Sequence, residues 1–319
     1  QGAPVVWRAE YVQPALNEPA SAWFAEDASA SVNLITNIIS DVPVESLSWC
    51  DGALRDEITS VLRPILPGWS PTFVVYSDGA YKVLKVSFSP ELPLLLAVNP
   101  SFSSNSLPTL LHGELKEDIM EDFSPFMGLP VLWAKKHTKD INLWTENILG
   151  GKGIVQRTAS NSKADFSAAA VSQMNVSIES SYYSLGAWAA VYGGTSEKSA
   201  EIGVHLGRRV SIFGNTNLEA YGEGIIELKD WSTEGRLGLR CSPWGDVWIG
   251  GEWSSKDDMW WGRLNIDPRL HKPYAWIRVR EDGEINTALG WKATQYISFE
   301  LHYDSRDTDT WSLRMLGNL

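Results

Sequence analysis

The chain has 319 residues, 44% of them hydrophobic and 21% charged, and carries a formal net charge of -12. That acidic balance excludes a sequence-independent nucleic-acid binder, which sets Lys and Arg opposite phosphates. Tryptophan is over-represented at 16 residues, and indoles collect in cores, on stacking surfaces and where membrane meets water.

No apolar run reaches the roughly 18 residues of a transmembrane helix. Cys50 and Cys241 are the only cysteines. Two cysteines cannot close a zinc site, and they are read as unpaired thiols. The first residue is Gln1 rather than Met, which fits a removed leader or a start inside a longer sequence.

Residues 1–150 read as a smaller, mixed α+β region. Trp23 to Ile39 is compatible with a helix. A stronger helix is expected over about 45–66, where Leu47, Leu54, Ile58, Val61 and Leu62 recur at helical spacing and Pro64 and Pro67-Gly68 follow. Its polar face is acidic, unlike a membrane-surface helix, so it packs on protein. A hairpin is expected over about 73–88 around Ser77-Asp78-Gly79-Ala80. Leu92 to Val98 reads as an edge strand because of Pro93. Ser101 to Pro108 reads as a loop, Glu114 to Asp122 as a short acidic helix, and Leu129 to Ala134 as a buried strand or turn. The glycines and polar cluster of Ile148 to Lys163 mark the expected boundary between the two regions. Gly150-Gly151-Lys152-Gly153 lacks the spacing of a phosphate loop.

Residues 151–319 switch to period-two alternation. Phe166, Ala168, Ala170, Met174, Val176 and Ile178 begin it, and the rows continue to Trp311, Leu313 and Met315. Turn-rich links separate the rows, including Gly214-Asn215, Ser242 to Gly245 and Arg306 to Asp309. Short links force antiparallel neighbours. The fold class is therefore mainly β, with a C-terminal antiparallel up-and-down meander or barrel of about ten or more strands. Trp144, Trp188, Trp231 and Trp276 recur about every 44 residues, near the length of a propeller blade, but their local contexts do not match.

One strand face is apolar and the other is charged and glycine-rich. Two arrangements follow. With the apolar face outward, the barrel meets lipid and the charged face lines a lumen. With it inward, the barrel is a lipocalin-like soluble binder of a hydrophobic small molecule, able to template a cyclisation in its cavity. Expected strand lengths of about 9–11 residues and aromatics near strand ends (Trp231, Trp244, Trp253, Trp291, Tyr303, Trp311) favour lipid outside. The ending Trp311, Leu313, Met315, Leu319 resembles the closing strand of bacterial outer-membrane barrels, with Leu319 in place of a terminal aromatic and Gly317 within the row. Trp248, Trp261 and Trp276 on the polar face speak against lipid outside, as do the short connections on both sides.

The expected function is a membrane-embedded β-barrel: a channel, a secretion component or a structural outer-membrane protein, with the soluble binder as the alternative. The corresponding locations are a bacterial or organellar outer membrane, or a secreted or soluble state. The implied partners are a lipid bilayer or a hydrophobic small molecule, and a protein for the N-terminal region, with no nucleic acid. Candidate lumen or ligand-contact residues are Trp248, Trp261, Arg263, Tyr274, Trp276, Arg278, Arg280, Glu219, Glu223, Glu300 and His302. Indoles beside guanidinium groups offer stacking and anion pairing. No HExxH, CxxC or Gly-x-Ser-x-Gly motif occurs, so no catalytic residue, metal or cofactor is assigned. Asn175-Val176-Ser177 matches a glycosylation sequon.

Overall fold

The computed structural model describes residues 6–40, 42–43, 47–213, 216–308 and 310–319, without the side chains of 47–51 and 213. Glu45, the Cys50 side chain, Gly214-Asn215 and Asp309 lie outside the described residues. The chain opens with β1 (Val6–Val12), α1 (Ala20–Ile39), α2 (Leu47–Ile65), β2 (Trp69–Asp78) and β3 (Tyr81–Pro90). β1 runs parallel to β3, and β2 pairs antiparallel to it, giving the order β1-β3-β2. Helix α1 buries Ala20, Phe24, Ala28, Ser31, Ile35 and Ile39, a stripe at helical spacing. Ile35 and Ile39 meet Ile58 and Leu62 of α2 and Trp7, Phe73, Leu84 and Val86 of the sheet in one core. The expected hairpin is present, with Gly79 at φ +59° in its turn. Glycine, lacking a Cβ, takes that conformation at no steric cost.

The same succession then recurs: a strand, helices and a hairpin. It comprises β4 (Ala97–Ser103), α3 (His112–Asp122), α4 (Val131–Lys136), α5 (Thr138–Gly151), α6 (Gly153–Arg157), β5 (Ser160–Ser167) and β6 (Val171–Ser180). The sheet order is β4-β6-β5, again with the first strand beside the last. Several local expectations need correction here. Leu129 to Ala134 enters a helix, which buries Val131, Trp133 and Ala134. Gly150-Gly151 close α5 rather than opening a long loop, because Ile141 and Leu149 keep a helical face buried up to that point. The edge strand starts at Ala97, with only an isolated bridge at Leu94. β5 and β6 alternate like the later strands but belong to this small sheet, where Phe166, Met174, Val176 and Ile178 are buried.

Two compact units emerge. One comprises Gln1–Ser101, Lys116–Thr145 and Ala164–Asn175; the other comprises Phe102–Leu115, Glu146–Lys163 and Val176–Leu319. Within the first, Asp27 of α1 collects three donors. Trp133 Nε1 donates to it at 3.0 Å, Lys136 Nζ at 2.5 Å and His137 Nε2 at 3.0 Å. The other ring nitrogen of His137 lies 2.7 Å from Asp140. Both nitrogens face carboxylate oxygens, an arrangement that favours the protonated ring. Trp23 stacks on it at 5.6 Å.

Within the second unit, ten strands form a closed barrel. They are β7 (Tyr183–Gly193), β8 (Ala200–Phe213), β9 (Thr216–Glu227), β10 (Ser232–Trp244), β11 (Val247–Ser254), β12 (Met259–Ile266), β13 (Pro273–Arg280), β14 (Ile285–Lys292), β15 (Ile297–Asp304) and β16 (Trp311–Asn318). Each pairs antiparallel with its successor, and β16 pairs antiparallel with β7 to close the ring. Closure removes both edges and replaces the propeller reading. Strands β7–β10 have 11 to 14 residues and β11–β16 eight each.

The apolar face points outward. Leu206 is 62% exposed, Leu237 63%, Leu289 61% and Leu313 66%, while Glu219, Glu252, Arg278 and Glu300 are buried within the ring. The lipocalin-like arrangement, with the apolar face inside, is therefore not the one adopted.

The Asp27–His137 cluster makes the first unit's stability depend on pH in two directions. Burial raises the Asp27 pKa, but hydrogen bonds from His137, Lys136 and Trp133 outweigh it and hold the carboxyl below its ordinary 3.8. Burial favours neutral His137, but its bonds to Asp27 and Asp140 raise it above 6.5. The histidine contribution is thus complete below its unfolded pKa and is lost as pH rises through the folded value. The aspartate contribution is present above its unfolded pKa and is lost as pH falls through the folded one. His137→Gln is expected to remove the alkaline limb and to cost about 1–3 kcal/mol near neutral pH. Hydrogen exchange of α1 amides in the full chain, followed against pH, checks this.

Candidate functional site

The candidate site is the barrel interior. Alternation sends residues of one parity inward on every strand, and register places opposite charges side by side. Glu219 lies opposite Arg209 and Arg240, Glu223 opposite His205 and Arg236, and Glu300 opposite Arg314. These pairs close into ion pairs. Glu219 accepts from His205 at 2.8 Å and from Arg209 and Arg240 at 2.9 Å. Glu223 accepts from His205 at 3.1 Å, Arg263 at 2.9 Å and Arg236 at 3.2 Å. Arg314 bridges Glu201 and Glu300. Tyr274 and Trp276 also donate to Glu300, at 2.8 and 3.3 Å.

One register position is unfavourable by itself. Arg263 and Arg278 lie directly opposite one another on β12 and β13, where like charges repel. Glu252 of β11 resolves this. It contacts Arg263 Nη1 at 3.0 Å and Arg278 Nε at 2.6 Å, and takes a hydrogen bond from the Tyr221 hydroxyl.

The inward tryptophans have a place in this lining. Arg278 lies over the Trp261 ring at 4.4 Å, and Arg240 over Trp248 at 4.7 Å. A cation on an aromatic face is stabilised more strongly when water is excluded. Trp248 also donates from its indole nitrogen to Asp267 at 2.8 Å. Trp248 and Trp261 thus serve as flat partners to arginines, while Trp276 donates to Glu300, and none of these positions contradicts an outward apolar band.

Glycines make room for these rings. A Cβ on Gly238 would lie 2.6 Å from the Tyr221 ring, and one on Gly290 would overlap Tyr274. Small positions opposite large ones let a narrow barrel fill its interior.

At one barrel end the turns are tied together. Arg306 of the β15–β16 turn pairs with Asp257 of the β11–β12 turn at 2.9 Å and with Asp304 at 2.8 Å. Lys198 of the β7–β8 turn pairs with Asp304 and Asp307 at 2.8 and 2.9 Å. Arg280 pairs with Asp282 at 2.6 Å. At the other end, Leu185 N donates to Ser106 O at 2.7 Å and Thr109 N to Leu319 O at 2.8 Å, so residues 104–109 line that rim. A cavity of about 320 Å³ remains between, lined by Glu201, Arg236, Trp276, Arg278 and His302 among others.

All eleven sequence-derived candidates face this interior, and the structure divides them among neighbouring pairs rather than one reacting centre. His302 makes hydrogen bonds with Asn286 at 3.0 Å and Ser312 at 3.2 Å. Among the described residues no group of three or more His, Cys, Asp and Glu could hold a metal ion. Cys241 is a free thiol. Sequence reasoning missed Arg314, Arg306, Asp257 and Lys198. Arg314 shares the parity of Ser312 and was findable from alternation, whereas the other three act from turns.

Two substitutions test the lining. Glu252→Gln removes the carboxylate that Arg263 and Arg278 share, leaving them Glu223 at 2.9 Å and Glu234 at 3.6 Å respectively, and is expected to cost about 3 kcal/mol, with Glu252→Gln/Arg278→Met recovering most of it. Gly238→Ala pushes Tyr221 off Glu252 and is expected to cost about 1–3 kcal/mol. Urea unfolding in detergent, followed by tryptophan fluorescence, measures both.

No protein-family model matches the chain, and no curated protein matches it in sequence. Among solved structures it is similar to BamA from Haemophilus ducreyi lacking POTRA domains 1–3, at 11% identity and a TM-score of 0.20, over 77% of this chain and 43% of that one. It is also similar to CdiB from Acinetobacter baumannii, at 10% identity and 0.18, over 95% and 53%. CdiB from Escherichia coli follows at 13% identity and 0.19, over 100% and 52%. The chain spans about half the length of these structures, and similarity at this level carries no argument about function.

Proposed function

We propose that this chain is a membrane-embedded β-barrel of the outer-membrane type, whose ion-paired lumen keeps it closed at rest. Its two strand–helix–hairpin modules lie outside the bilayer and engage a protein partner, as in a secretion or assembly component. The observation that carries this reading is the chemistry of the outer surface. Of the described outward positions on the ten strands, Arg208 alone is charged, and the rest are aliphatic, aromatic, small or hydroxyl-bearing.

Aromatics near both ends of the apolar band add support. Trp231, Trp260 and Trp311 lie at the end with the tied turns, and Trp244, Trp291 and Tyr296 at the other, all of them exposed. Such girdles sit at headgroup level in membrane barrels. No helix among the described residues is long and apolar enough to cross a membrane.

The eleven lumen residues serve in this reading as a charged plug. Two measurements test the two halves of the proposal. Full-length protein should float with phospholipid vesicles after carbonate washing; recovery in the aqueous fraction would sink the membrane assignment. In a planar bilayer the wild type should stay closed, and Arg278→Ala/Arg280→Ala should raise conductance. A steady wild-type current would overturn the closed lumen.

A further inference from the structure

We infer that Arg208 and Tyr183 form a binding site for the phosphate of a lipid headgroup on the barrel's outer surface; the site rests on the membrane assignment above. Arg208 stands in an otherwise apolar outward row, between Leu206 (62% exposed) and Val210 (56% exposed). Tyr183 is its direct partner on β7, and Ala220 its partner on β9. The guanidinium and the phenol are thus cross-strand neighbours, with a small residue leaving space beside them. Among the described residues nothing pairs with the Arg208 guanidinium or the Tyr183 hydroxyl.

Depth places this pair at a headgroup. β8 begins at Ala200, at the end with the tied turns. Eight residues further on is roughly 26 Å along the strand, or about 20 Å down the barrel axis at a tilt near 40°. An apolar band is about 25 Å tall, so Arg208 lies just inside its far edge. An arginine there extends its long stem to reach the interface. The headgroup layer offers phosphate oxygens, which the planar guanidinium engages with two parallel N–H bonds, while the phenol donates a third. The acyl chains of such a lipid would lie along Leu185 and Leu206, an outward cross-strand pair. A free phosphate has nothing to place there.

The test uses the full chain in detergent, titrated with a short-chain phosphatidylglycerol, with the matching diacylglycerol and with inorganic phosphate, and read by native mass spectrometry. The wild type should retain the phospholipid and not the diacylglycerol. Arg208→Leu should weaken phospholipid binding at least tenfold, and Tyr183→Phe about two- to threefold. Equal binding by wild type and Arg208→Leu overturns the site. Inorganic phosphate binding as tightly as the phospholipid overturns the headgroup assignment. Vesicle flotation separates this from the broader reading. Arg208→Leu floating like the wild type leaves the membrane assignment standing whatever the titration shows, whereas failure of both proteins to float removes its basis.

Discussion

Everything in the barrel depends on carboxylates being matched to guanidinium groups in its interior. Ten strands with an apolar outer face have nowhere else to put their polar side chains, and the ring is narrow. An unpaired charge buried there is expensive, whereas a fully paired one is tolerable. Glu252 between Arg263 and Arg278 is the clearest case, because the strand register has placed two cations opposite one another. Glu219, Glu223 and Arg314 each meet at least two partners of opposite charge. The network therefore adds a side-chain preference to the register that the backbone hydrogen bonds set.

Volume is the second constraint on the same space. Arginines over indoles and tyrosine rings over glycines fill the interior with flat shapes that stack. These side chains border a cavity of about 320 Å³ whose lining includes Asn105 and Leu185 near one end and Lys198 and Arg306 near the other. Ion pairs among the turns then tie down one end.

The first unit solves a different problem with related chemistry. Its sheet core is ordinary aliphatic packing between α1, α2 and β1-β3-β2. Asp27 joins α1 to α4 and, through the His137 ring that also contacts Asp140, to α5. That contact is electrostatic, directional and dependent on protonation, and it sits beside aromatic contacts between the same modules, Trp23 with Phe126 and Trp69 with Trp133. The recurrence of strand, helices and hairpin indicates one architectural unit used twice, each with its second strand at the sheet edge.

Period-two alternation from β7 onward was enough to read the antiparallel ring, since a two-residue period has a single physical explanation and short links leave neighbouring strands no other pairing. The eleven interior candidates were legible for the same reason: parity alone groups Trp276, Arg278 and Arg280. Alternation could not separate β5 and β6 from the barrel, because a strand's pattern does not name the sheet it joins. Nor could it find the helix from Thr138, where Gly150-Gly151 masked a buried face extending to Leu149. Above all, it could not say which face looked outward, since both choices bury one face and expose the other. That was decided only by tertiary closure, through register that puts Glu beside Arg across strands and lets the charged face, rather than the apolar one, fill the interior.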